Sequence, residues 1–173
     1  MPKLIKNGQL IDDAWQTLRL AEGDDPAGVN VPAGQWLVPL AVWQAQPALA
    51  ARGEVAVWLA GDDEPAALAA EFATLALIAV DFPAFTDGRG YSIGALLRSR
   101  HGYRGELRAI GNVLRDQFDY LTRCGFDALA PAEGKYTDAQ LEEATRQLQD
   151  FSEPYQASVK HADPLFRRQR RAA

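Results

Sequence analysis

The residues of this chain whose types and spacing suit chemistry fall between Asp81 and Arg115. The densest group is the polar stretch Asp81-Phe82-Pro83-Ala84-Phe85-Thr86-Asp87-Gly88-Arg89-Gly90-Tyr91-Ser92. Gly88 and Gly90 allow positive φ on either side of Arg89, so a guanidinium can be aimed while backbone N–H groups turn toward an anion such as sulfate, sulfite or a phosphate group. Thr86 or Ser92 can cap the helix that follows. Asp81 has the chemistry of an acid/base or metal carboxylate, although an Asp at a strand end equally caps a loop or pairs with an arginine. Arg108 joins Arg89 in an anion pocket if it points toward the strand end; a salt bridge to Asp81 or Asp116 is the competing arrangement. Asn112, in the strand-to-helix turn Gly111-Asn112, and Arg115, just beyond it, complete the set. The purely structural alternative is a turn at Asp87-Gly88, with Phe82, Phe85 and Tyr91 packing the rim. The glycine spacing matches neither a dinucleotide fingerprint nor a P-loop.

Other chemistries are disfavoured by what the chain contains. Its single cysteine, Cys124, forms no internal disulfide and supplies too few thiolates for an iron–sulfur cluster or thiolate zinc site. Next to Gly125 at a helix C-terminus, it lies at the wrong end of the dipole for a reactive thiol and reads as buried and structural. His101 and His161 are 60 residues apart and give no metal-ligand spacing, so no metal is expected. With no long apolar run and no charged-then-apolar leader, the expectation is a chain in a reducing cytoplasm with no membrane contact. The net charge of −5 is unevenly spread. Residues 1–85 carry −7, residues 86–123 carry +3 from seven arginines against four acids, and residues 124–166 carry −5. The tail adds +4 through Arg167, Arg168, Arg170 and Arg171. An acidic total argues against nucleic acid as a partner, while the central arginines suit a local anion site or a solvated helix face.

The elements that position these residues follow from apolar spacing. Three short runs, Leu77–Val80, Leu107–Ile110 and Phe126–Leu129, alternate with amphipathic stretches and predict right-handed crossovers feeding a parallel sheet. Val55–Ala60 is a further strand, and these continuous apolar runs suit a sheet covered on both faces. Helices are expected over Val42–Arg52 with a break or kink at Pro47, over Ala66–Phe72, Ser92–Arg100 and Asn112–Arg123, and after the capping-box spacing Thr137–Gln140. In the last helix Leu141, Ala144, Leu148 and Phe151 share a face. Asn7-Gly8 between Leu4-Ile5 and Leu10-Ile11 predicts a type I′ hairpin. The sum is a three-layer α/β domain with a mainly parallel sheet of four or five strands, Rossmann-like or flavodoxin-like, plus an N-terminal β-hairpin. A partial (β/α) barrel is the alternative, because it uses the same local unit. A single domain is expected over residues 1–160, with a hairpin-and-loop appendage at 1–35, a core at 54–151, and a basic tail lacking order at 161–173.

The segments F-T-D-G-R-G-Y-S, L-R-S-R-H-G-Y-R-G-E-L-R-A-I-G-N-V-L-R-D-Q and R-C-G-F-D-A resemble the bacterial domain of unknown function 934 family. The resemblance runs roughly from Val55 to Gln156. Members are commonly labelled oxidoreductases of sulfite reduction, and their genes commonly neighbour those for assimilatory sulfite reductase. The resemblance implies a place in cysteine biosynthesis, as an accessory or electron-delivery partner of sulfite reductase, and it brings no established catalytic residues. The family pattern carries an acidic residue after the glycine of R-A-x-G; this chain has Asn112, which counts against a mechanism needing a carboxylate there. No cofactor motif is evident, and a flavin at the rim loops is the one cofactor such a sheet accommodates without a short motif. An enzyme or small-molecule binder with an anion at the Asp81–Ser92 loop is the alternative function.

Overall fold

The computed structural model describes residues 2–148 and 156–171. Eight strands form one sheet: β1 (Lys3–Lys6), β2 (Gln9–Asp12), β3 (Gln16–Thr17), β4 (Trp36–Pro39), β5 (Val55–Leu59), β6 (Leu77–Phe82), β7 (Glu106–Gly111) and β8 (Ala128–Pro131). Their spatial order is β2-β1-β8-β7-β6-β5-β4-β3. From β3 to β8 each strand pairs in parallel with the next one in the chain, and β1 pairs antiparallel with both β2 and β8. A Rossmann-like or flavodoxin-like sheet reverses its strand order at a switch point. Here the order never reverses, so the partial (β/α) barrel describes the arrangement.

Chain connectivity requires the sheet to curl. β2 and β3 are opposite edges of the eight-stranded order, and only Asp13, Ala14 and Trp15 connect them. Laid flat, seven inter-strand gaps of about 4.8 Å would separate those edges by about 34 Å. Four Cα–Cα steps of about 3.8 Å reach at most about 15 Å. The sheet therefore rolls into a half-barrel, and Asp13–Trp15 crosses between its edges.

The helices are α1 (Leu40–Ala45), α2 (Arg89–Ser99), α3 (Phe118–Arg123), α4 (Asp138–Gln147) and α5 (Leu165–Arg171). The buried side chains of α1 to α4, such as Val42, Ile93, Leu97, Leu121 and Leu141, share one core with Val57, Ile78, Val80 and Leu107. The opposite, concave face is a smaller cluster of Leu37, Ala56, Trp58, Leu77, Ala79 and Ile110, capped by Trp15 rather than by helices. The expected three layers are thus two, and the sheet has more strands than the four or five expected. Its strands are apolar on both faces because curling and the crossing segment close the second face.

Local chemistry accounts for most element ends. Asn7 (φ 50°) and Gly8 (φ 74°) form the positive-φ hairpin turn, but β1 continues the main sheet through β8 and is no appendage. Pro47 ends the first helix, leaving a 310 turn over Pro47–Ala51. Only a 310 turn forms over Pro65–Leu68, where a longer helix is expected. The stretch Ala66–Phe72 offers one fully buried anchor, Leu68, and a short helix without an apolar stripe gains little from packing. At α4 the Thr137 hydroxyl accepts from the Gln140 N–H, and Gln140 Oε1 accepts from the Thr137 N–H (2.9 Å), the expected capping box. Leu141 and Ala144 are buried on that helix as expected, while Phe151 lies outside the described residues. The basic tail, expected to lack order, is helical over Leu165–Arg171.

Candidate functional site

Asp81 and Arg108 both point to the concave face, since β6 places Ile78, Val80 and Phe82 in the helix-covered core and β7 does the same with Leu107 and Ala109. Neither is paired as the sequence suggests. Arg108, only 2% exposed, donates from Nη1 to both carboxylate oxygens of Asp13 (2.8 and 2.9 Å) and from Nε to Glu106 (2.8 Å). Lys6 reaches the far oxygen of Glu106 at 2.7 Å, so two cations and two anions form one chain across β7 and β1. Asp81, 5% exposed, accepts two parallel bonds from Arg19 at 2.7 and 2.9 Å. The Arg19 guanidinium also lies 5.3 Å from the ring centroid of Trp58, whose Nε1 donates to the Leu18 carbonyl at 2.9 Å.

The segment Asp13–Arg19 therefore acts as a strap: Asp13 fastens to β7, Trp15 covers the floor, and Arg19 fastens to β6 over β5. Asp13 and Arg19 carry no local signal in the sequence, because their partners are 95 and 62 residues away. No local spacing announces such pairs. Arg98 is a third case: it donates to the carbonyls of Gly125, Tyr103 and Gly105 and to Asp127, tying α2 to the entrances of β7 and β8.

The stretch between Asp81 and Ser92 is more ordinary than its length suggests. β6 absorbs Asp81 and Phe82, and α2 begins at Arg89, three residues before the expected start, leaving a connection of Pro83–Gly88. Asp87, one residue before the Gly88 N-cap of α2, accepts from the Arg89 N–H (3.1 Å) and from that residue's Nε and Nη2 at 3.0 and 2.7 Å. A carboxylate of the chain itself thus holds Arg89 at the helix start. Arg89 lies against Gly61 at the end of β5 and does not meet Arg108. Thr86 and Ser92 are exposed, and Tyr91 packs edge-on between Phe82 (5.2 Å) and Tyr120 (4.9 Å). Asn112 accepts from Lys135, and Arg115 pairs with Gln147 and Glu143 on α4.

The bonds from Arg89 hold the Asp87 carboxyl at about 2, below its ordinary value of 3.8. A depressed folded-state pKa stabilises above the unfolded value, and that stabilisation disappears as pH falls from about 4 through about 2. In a carboxyl-detected NMR titration Asp87 should have its midpoint near 2, and Arg89→Ala should move it back toward 3.8. A midpoint unchanged by that substitution would dissociate the pair.

Cys124 closes α3, and burial raises its thiol pKa above the ordinary 9.0. A buried thiol with little thiolate reacts slowly. Ellman's reagent should consume it at least tenfold more slowly in the native protein than in urea, and equal rates would contradict its burial. Among the described residues, no group of three or more His, Cys, Asp or Glu side chains is placed to hold a metal. No helix there is long and apolar enough to cross a membrane.

Two cavities adjoin these residues. One of about 550 Å³ lies between α3 and α4, lined by Arg115, Phe118, Tyr136, Gln147 and Leu148. The other, about 490 Å³, opens on the concave side under the strap, between Trp15, Arg19, Trp36, Gly111, Pro131 and Glu133. No curated protein and no solved structure matches the chain significantly. A family model described as a bacterial protein of unknown function, DUF934, matches residues 56–166, from β5 into the last helix. The matched segment includes Asp81 and Arg108 but not their strap partners Asp13 and Arg19. With well over half of its length matched, the chain belongs to the DUF934 family of bacterial proteins.

Proposed function

We propose that this chain is a cytoplasmic accessory protein of assimilatory sulfite reduction, binding sulfite reductase or its electron donor rather than catalysing a step itself. The supporting observation is the state of the acids on the concave face. Asp13, Asp81 and Glu106 are each held at 2.7–2.9 Å by an arginine, which leaves none of them placed to exchange protons with a substrate. The link to sulfite reduction comes from the family resemblance. For docking, the outer surface around Tyr120 is the best suited: this tyrosine is 55% exposed, braced by Tyr91, and flanked on its helix by Arg123. Exposed aromatics and arginines are the side chains that dominate interface energetics.

The test is direct binding of the purified chain to purified sulfite reductase and to its electron donor, with growth of a deletion strain on sulfate as sole sulfur source. Saturable binding that Tyr120→Ala weakens, with slow growth on sulfate relieved by cysteine, is the expected result. Normal growth on sulfate together with no binding to either protein would reject the reading. The purified protein should be colourless; a yellow flavin spectrum would instead make it an electron carrier.

A further inference from the structure

The strap does more than close the barrel, because it leaves Arg19 at the wall of an amphipathic cavity. Asp81 stands behind Arg19 and is 6% exposed in its side chain, while the Arg19 side chain is 52% exposed and lines the cavity. An arginine carries five N–H donors. Asp81 takes two, and among the described residues no partner is placed on the other three. The guanidinium is also held by the face of Trp58. It is therefore pre-oriented, and a ligand engaging it need not freeze a long side chain. The walls include Trp15, Leu37 and Ile110, which are flat or apolar; of the two acids that also line the cavity, Asp13 is already paired with Arg108 and Glu133 is exposed. A volume of about 490 Å³ falls within the range of small-molecule sites and far exceeds what an inorganic oxyanion fills.

We propose that this cavity binds an organic anion with a flat aromatic body, its carboxylate, sulfonate or phosphate group paired with Arg19 and its ring set against Trp15, Leu37 and Ile110. Asp81 is then a positioning residue: it locks the guanidinium so that the remaining donors face the ligand. Gly111 belongs to the same construction, because a Cβ there would lie 2.5 Å from Asp81 Oδ1. The proposal stands independently of the docking reading, since it concerns the inner face and a small molecule.

The probe is 8-anilinonaphthalene-1-sulfonate, titrated by fluorescence into the full chain, with the uncharged N-phenyl-1-naphthylamine as its partner. One equivalent of the sulfonate should bind saturably. Arg19→Gln should weaken it at least tenfold while leaving the uncharged dye within twofold. Because that variant strands the buried Asp81, the double variant Arg19→Gln/Asp81→Asn serves as the neutral, paired control and should behave the same way. Ala130→Trp, on the concave wall, leaves the ion pair intact and should exclude both dyes. Circular dichroism melts verify the fold of each variant. Absence of saturable binding overturns the proposal. So does sulfonate affinity unchanged in both the Arg19 variants and Ala130→Trp, which would place the dye elsewhere, as in the groove between α3 and α4.

Discussion

Arg108→Ala should lower the unfolding free energy by about 3–5 kcal/mol, the cost of removing one partner from a buried ion pair. The reason lies in what remains. Asp13 and Glu106 are within 2.9 Å of this guanidinium, and Asp13 itself is only 8% exposed. Lys6 compensates one oxygen of Glu106, whereas Asp13 keeps only the Trp15 N–H at 3.1 Å and no cation. The substitution also loosens the strap, because Asp13 is its first attachment to the central strands. Urea unfolding at neutral pH measures the loss. Adding Asp13→Ala and Glu106→Gln to the alanine variant should recover much of it, because the penalty comes from the stranded charges rather than from lost attraction. A loss below about 1 kcal/mol would mean that water reaches the pair as it does at a surface.

Gly111→Ala should be nearly as damaging. Gly111 has φ +89°, and the left-handed region alone costs a residue with a Cβ about 1–2 kcal/mol. The new Cβ would also sit 2.5 Å from Asp81 Oδ1 and 2.8 Å from the Phe82 carbonyl oxygen, and the latter is backbone that cannot step aside cheaply. A total of about 3 kcal/mol or more is expected. Gly8→Ala is the matched control, with φ +74° but nothing within 4 Å of its Cβ, so it should show the backbone cost alone. The difference between the two variants in urea unfolding isolates the contact. Displacing Asp81 also releases Arg19 from Trp58, so the tryptophan emission of folded Gly111→Ala should change. Equal losses for the two glycines would show that the strand ends relax around the added methyl.

Most of the elements could be read from the sequence because the forces behind them are local. The Asn7-Gly8 turn, the helix break at Pro47, the Thr137–Gln140 capping box and the positive-φ stop at Gly125 depend on residues within a few positions of one another. The apolar runs of β5 and β6 identify buried strands for the same reason, since burial on both faces favours apolar side chains, and β7 departs from it only where Arg108 and Glu106 are paired. The connection within Asp81–Ser92 is shorter than the residue types suggest, because spacing cannot tell where a strand ends. Asp81 looks like a loop residue by type, yet it and Phe82 complete the ladder with Ile110 and Gly111.

The sequence by itself determined a parallel-stranded α/β chain with most of its turns and caps, and through its motifs the family. Only the tertiary structure decided that the sheet curls, that its helices cover one face, and which charges meet. The strand order and the three-residue step from β2 to β3 are global constraints, invisible to any window of sequence. The same constraint carries Asp13 to Arg108 and Arg19 to Asp81 across 95 and 62 residues. A carboxylate in a sequence is equally a catalyst, a cap or half of a salt bridge. Asp81 became the last of these because folding placed a guanidinium 2.7 Å away.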